Sequence, residues 1–144
     1  MQVNAMVVDD SGIMRKMVMR SLIESKLAQF MFTEAADGVD ALSKFNPDIN
    51  MMFVDWNMPN MTGIELVRRI RSSQKNHVPI VMITTEGTMD RVEEALNSGG
   101  VDSYVVKPFT TDVLVKKLSP LFDKLQQAAV KPKGFFGRLA DKLS

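Results

Sequence analysis

Five side chains in this sequence are of types that could together carry a phosphoryl group, and each lies at the end of an apolar run. Met51-Met52-Phe53-Val54 ends in Asp55, Ala5 to Val8 ends in Asp9-Asp10, Ile80 to Ile83 ends in Thr84, and Tyr104 to Val106 ends in Lys107. Carboxylates crowded into a partly desolvated site repel one another strongly. A hard divalent cation resolves that repulsion. Mg²⁺ takes oxygen ligands, few of them from protein, and completes its shell with water and phosphate. It also neutralises charge on an incoming phosphoryl group. One carboxylate, Asp55, is then left as the nucleophile of aspartyl-phosphate chemistry. Lys107 is a mobile cation suited to phosphate, and Thr84 offers a hydroxyl donor to a phosphoryl oxygen. Each has a plainer reading: Asp9 and Asp10 as helix caps, Lys107 as a surface lysine, Thr84 as a strand-end hydroxyl. Four coincidences at four strand ends outweigh them.

The elements that must position these residues are legible in the hydrophobic pattern. The four apolar runs read as strands, Met51 to Val54 as one buried on both faces, and Phe32 to Ala36 is a weaker strand near an edge. Between them lie helical stripes. Ile13, Met14, Met17, Val18, Leu22 and Ile23 recur behind Ser11 as N-cap; Val39, Leu42 and Phe45 follow Asp37-Gly38; Ile64, Val67 and Ile70 follow Thr62; Val92, Ala95 and Leu96 follow Thr88. Thr62 with Glu65 fits a capping box, and Gly99-Gly100 supplies a left-handed helix end. Leu114, Leu118, Leu121, Phe122 and Leu125 form the last stripe behind Thr110, with Pro120 inside it as a candidate kink. Strand and helix alternate five times. The expectation is an α/β domain with a parallel sheet covered on both faces. A carboxylate at the carboxyl end of such a strand sits where these sheets place ligands.

Composition narrows the function classes. The 144 residues are 45% hydrophobic and 24% charged, with 18 basic against 17 acidic side chains, so no global charge draws the chain to nucleic acid or membrane. There is no cysteine, hence no thiolate or zinc-thiolate chemistry. No leader pattern and no run of membrane-spanning length is seen, so a cytoplasmic location is expected. The single histidine, His77, lies in a polar loop away from the motifs and reads as a surface residue. The twelve methionines read first as flexible core filling and second as adaptable surface.

The segments Val7-Val8-Asp9-Asp10, Asp55-Trp56-Asn57-Met58-Pro59-Asn60-Met61, Ile83-Thr84 and Tyr104-Val105-Val106-Lys107-Pro108-Phe109 resemble, in order and spacing, the receiver domains of two-component response regulators. The likeness covers residues 1 to roughly 125 and is strongest to CheY-like single-domain chemotaxis receivers. It implies a flavodoxin-like sheet of order 2-1-3-4-5, of which CheY is itself the standing example. It also implies that Asp55 is phosphorylated by a histidine kinase, and that Asp9, Asp10, Asp55 and the backbone carbonyl of Asn57 bind Mg²⁺. By the same likeness Lys107 pairs with the phosphate through a cis Lys107-Pro108 bond. Thr84 moves onto the phosphoryl group, and Tyr104 swings inward behind it. Asn57 and Glu86 tune autodephosphorylation, and Thr85 stands where the family often has a smaller residue. The implied output is a population shift read by a protein effector on the last strand and its flanking helices, in a monomer or a phosphorylation-dependent dimer.

Composition changes after Gln127. The expected organisation is a receiver over residues 1–127, then a linker through Lys131-Pro132-Lys133-Gly134 and an amphipathic tail over 128–144. Phe135, Phe136, Leu139 and Leu143 share one helical face, too short to hold alone and weakened by Gly137. Such a tail needs a surface: its own receiver, a partner protein or, less favoured, a membrane. The leading expectation is a stand-alone, chemotaxis-type phosphorylation switch whose only catalysis is on itself. The alternative is a phosphate-relay or sink receiver, or a tail-regulated adaptor, whose output is not the flagellar motor. An aspartyl phosphohydrolase commonly carries a second Asp two residues after the nucleophile, where this chain has Asn57. The complete acidic, Thr and Lys set argues against a receiver-like module that never takes phosphate. An FMN-binding flavodoxin-like protein lacks support, because no Ser/Thr/Gly-rich phosphate loop follows the first strand.

Overall fold

The computed structural model describes residues 1–73 and 77–131; the tail residues Phe135, Phe136, Leu139 and Leu143 lie outside the described residues. In chain order the elements are β1 (Gln2–Val8), α1 (Gly12–Ser25), β2 (Gln29–Ala35), α2 (Gly38–Lys44), β3 (Met51–Val54), α3 (Gly63–Ser72), β4 (Ile80–Thr84), α4 (Met89–Glu93), a π-helical continuation of it (Glu94–Gly99), β5 (Ser103–Val106) and α5 (Thr111–Lys131). The strands pair in parallel in the order β2-β1-β3-β4-β5.

The side-chain period of two splits the sheet into two packed faces. Met52 and Val54 of β3 join Met6, Val8 and Met82 under α2, α3 and the π-helical segment, through Ala41, Ile64, Val67, Ile70 and Ala95. Met51 and Phe53 join Val7, Val81 and Val105 under α1 and α5, through Val18, Leu22, Leu114, Leu118 and Phe122. All four residues of β3 are buried, as a doubly covered central strand requires.

The expected caps form. Ser11, Thr62, Thr88 and Thr110 each accept from the backbone N–H three residues on. The Glu65 carboxylate, however, accepts from Arg69 one turn later instead of reaching back to close a capping box. The edge strand β2 starts at Gln29, three residues before the expected Phe32, in register with β1 along its whole length. α5 passes through Pro120 as one element and continues beyond Gln127 to Lys131.

Five residues expected to face inward do not. Ile13, Met17 and Ile23 of α1 are 74%, 56% and 60% exposed. At roughly 100° per residue, Ile13 falls nearly opposite the stripe centred on Val18 and Leu22, and Met17 and Ile23 lie on its two flanks. Apolar residues ring this helix, so periodicity alone could not choose the buried side. Val39 sits in the first turn of α2, where Gly38 and Ala41 take the buried positions. Leu96 falls in the π-helical segment, whose wider turn keeps Ala95 inside and rotates Leu96 out.

Candidate functional site

Register brings the strand-end residues together. Val8 of β1 is paired with Val54 of β3, and the Asp55 N–H donates to the Val8 carbonyl at 2.9 Å, so Asp9 and Asp55 leave the sheet side by side. Thr84 of β4 is paired with Val106 of β5, and the Lys107 N–H donates to the Thr84 carbonyl at 2.8 Å. Oxygens of Asp9, Asp10 and Asp55 lie within 4.8 Å of one another. Lys107 Nζ donates to Asp9 Oδ2 at 2.9 Å and stands 3.8 Å from Asp55 Oδ2, with its side chain only 7% exposed.

Each acid is held differently. Asp9 is buried, and its Oδ1 accepts from the Ser11 N–H at 2.9 Å. Arg15 Nη1 donates to the Asp9 carbonyl at 2.7 Å while its Nε binds Glu34, which ties the strand end to α1 and β2. Asp10 is exposed. Asp55 is half-buried, and its Oδ1 accepts from the Trp56 N–H at 2.8 Å. Burial pushes the Asp55 carboxyl above its ordinary range; the Thr84 hydroxyl hydrogen bond and the Lys107 ammonium pull it back, the Asp9 charge pushes it further up, and the Trp56 N–H pulls it down.

The all-oxygen donor set, with two acids taken partly out of water, fits a hard divalent cation better than a soft one. Three carboxylates facing one ammonium leave negative charge uncompensated, which is what such an ion would neutralise.

Glu86 knots the residues around this cluster. Its backbone N–H donates to Thr84 Oγ1 at 3.3 Å, its carboxylate accepts from Asn57 Nδ2 at 2.7 Å, and its carbonyl accepts from the Tyr104 hydroxyl. The two residues expected to act together, Asn57 and Glu86, therefore touch. Tyr104 is turned inward and buried. Burial pushes its phenol up to about 12, helped by the Glu86 charge and opposed by Arg91. Because Tyr104 is the sole tyrosine, phenolate absorbance should rise with a midpoint near 12. A midpoint near the ordinary ~10 with the fold retained would place the ring in solvent.

Sequence reasoning missed three contributors. Gly63, the first residue of α3, lies so close to the chain that a Cβ there would stand 2.0 Å from the Asp55 carbonyl oxygen, and its N–H donates to the Trp56 carbonyl at 2.8 Å. Arg91 of α4 lies over the Trp56 ring at 4.9 Å, a cation–π contact beside the site. Asn60 holds a left-handed turn at φ 71° and donates to Asp37 at 3.2 Å. The Gly63 signal lay in Thr62-Gly63 after a proline loop; for Arg91 no local signal existed. The cis Lys107-Pro108 bond is present, and His77 is exposed.

Residues 5–119 match the family described as response regulator receiver domain. The chain belongs to that family. Helicobacter pylori chemotaxis protein CheY1 is 45% identical over 116 residues, covering 78% of this chain and 91% of that protein. The structure of Vibrio cholerae chemotaxis protein CheY4 matches with a TM-score of 0.72 at 34% identity, over 83% of this chain and 98% of that one. A Borrelia burgdorferi CheX–CheY–BeF3–Mg complex matches at 0.74 and 27% identity, over 83% and 89%. The receiver is thus a two-component response regulator unit with CheY-type relatives, and the 2-1-3-4-5 sheet is its fold. Among the described residues no helix is long and apolar enough to cross a membrane.

Proposed function

We propose that this receiver is a chemotaxis-type phosphorylation switch. Asp55 accepts a phosphoryl group from the phosphohistidine of a partner kinase. A carboxylate oxygen of Asp55 attacks phosphorus, the P–N bond breaks, and the imidazole leaves with the bonding pair, taking a proton from solvent. Mg²⁺, held by Asp9, Asp10, Asp55 and the Asn57 carbonyl, supplies charge neutralisation on the phosphoryl oxygens when bound. Lys107 pairs with one phosphoryl oxygen, and Thr84 turns its hydroxyl from Asp55 to another. Asn57 and Glu86 set the access of water to the acyl phosphate and hence its lifetime. The protein acts on no separate substrate; its chemistry is its own phosphorylation and autodephosphorylation.

The observation that carries this reading is the triad of carboxylates within 4.8 Å beside a buried ammonium 3.8 Å from Asp55. The output follows from the Glu86 knot. A Thr84 hydroxyl drawn toward phosphate pulls on the β4–α4 loop that holds Tyr104. That biases the surface of β5, α4 and α5, where Met89, Val106 and Val113 are exposed, toward binding a protein effector. The relatives named as chemotaxis proteins support a chemotaxis output, with which a cytoplasmic location is proposed.

The test is intact mass and peptide mapping after exposure to acetyl phosphate with Mg²⁺. The expected result is one labile phosphoryl adduct on Asp55, absent when Mg²⁺ is chelated. An unmodified Asp55 under conditions that label a control receiver would end this reading.

A further inference from the structure

We infer that the segment Phe135–Leu143 docks on its own receiver, in the groove between α1 and the edge strand β2. This groove of about 530 Å³ is lined by Met19, Ile23 and Phe32, with Lys16, Arg20 and Glu24 on its rim. Ile23, at 60% exposed, is an apolar side chain that the described residues leave in water.

The reach of α5 selects the occupant. Phe122 of α5 meets Phe30 edge-on, with ring centroids 5.8 Å apart, and Phe30 stacks on Phe32 at 5.6 Å. The second half of α5 therefore meets β2 at Phe30, whose ring stacks on the groove-lining Phe32. From Phe122 the helix continues to Lys131, roughly 14 Å further, and thirteen residues of chain follow it. Pro132-Lys133-Gly134 is suited to ending a helix and reversing the chain. Three extended residues span about 10 Å, and a helix from Phe135 to Leu143 about 12 Å, enough to return alongside α5 to the Phe30–Phe32 stack. Phe135, Phe136, Leu139 and Leu143 then face Met19, Ile23 and Phe32. The rim suits this segment: Lys16 or Arg20 can take Asp141, and Glu24, whose Oε2 accepts from the Thr111 hydroxyl at 3.4 Å, stands by for Arg138 or Lys142. The inference stands apart from the phosphorylation reading, since it uses no residue of the acidic site.

The chain contains no cysteine, so a disulfide reports this contact directly. Two cysteines are bridged only when their Cα atoms lie within about 7 Å. In the full-length chain, Ile23→Cys with Leu139→Cys should oxidise to an intramolecular disulfide at least tenfold faster than Val39→Cys with Leu139→Cys, whose α2 position is exposed away from the groove. Because Ile23→Cys trims the groove, a second measurement uses the native groove. Phe135→Ser with Phe136→Ser should shift the backbone amide resonances of Met19, Ile23 and Phe32 relative to wild type. Equal oxidation of both pairs with unmoved amides overturns the inference. So does a disulfide-linked dimer, which assigns the groove to a second copy. Tail-dependent sedimentation with phosphatidylglycerol vesicles, with the groove amides unmoved, also overturns it and assigns the tail to a membrane.

Discussion

Asp55→Asn should abolish the phosphoryl adduct and, at neutral pH without metal, should raise the melting temperature. The first half follows from chemistry, since an amide nitrogen or oxygen is no nucleophile for this transfer. Trp56, the sole tryptophan and a hydrogen-bond donor to Asp55, provides the readout. Its fluorescence should respond to Mg²⁺ and again to beryllofluoride in wild type, and the second response should vanish in the variant. The second half follows from the direction of the Asp55 shift. Burial raises this carboxyl above its unfolded value, so the folded state holds the proton more tightly than the unfolded chain does. The stability this contributes is fully present below the unfolded pKa and is lost as pH rises through the raised folded one. At pH 7 wild type carries a desolvated charge that asparagine does not. Mg²⁺ binds the folded cluster and so stabilises wild type by mass action, and the variant should gain less. A lower melting temperature for Asp55→Asn in metal-free buffer at pH 7 would contradict this electrostatic account. A persisting adduct would remove Asp55 from the chemistry altogether.

Gly63→Ala should be the most damaging single methyl in the described chain. Its Cβ would sit 2.0 Å from the Asp55 carbonyl oxygen and 2.9 Å from the carbonyl carbon, and both are backbone atoms that no rotamer change can withdraw. Either the start of α3 or the peptide of Asp55 must move. The expected loss is roughly 3 kcal/mol, a fall in Tm on the order of 10 °C, with phosphorylation slowed in whatever fraction folds. Gly12→Ala is the control. There a Cβ meets only the flexible end of Arg15 at 3.4 Å, and alanine favours the helix, so its melting temperature should be unchanged or slightly raised. Equal behaviour of the two variants would show that the close approach at Asp55 carries no stability.

What was legible in the sequence was whatever is encoded locally. Met51 to Val54 announced a doubly buried strand without help from any neighbour, and the four hydroxyl caps needed only the residues three positions on. The acidic cluster was legible because parallel strands bring their carboxyl ends to one edge, so an unusual residue after each apolar run becomes a neighbour of the others. The orientation of α1 was not legible, since Ile13, Met17 and Ile23 are as apolar as Val18 and Leu22, and only the position of α5 decides which side is covered. The π-helical turn at Glu94–Gly99 was hidden for a related reason: its residues satisfy an ordinary helical pattern, and the wider turn is set by packing, with Gly99 pressed against Ile64. Arg91 depends on a contact with Trp56, far from it in the chain, and Gly63 on the way the loop after Trp56 folds back on the Asp55 carbonyl. The partner of the Tyr104 hydroxyl was not legible either, because it is the Glu86 backbone carbonyl, which no pattern of side chains reveals.

The bond from Lys107 to Asp9 spans 98 positions of sequence. The cation that restrains the acids thus belongs to the last strand, while the acids belong to the first and third. A nascent chain halted before β5 would present these carboxylates with no resident counter-charge and no partner for an arriving phosphate. On the phosphorylation reading proposed above, competence to receive a signal would appear only when the final strand is threaded into place, so a half-made chain would stay silent.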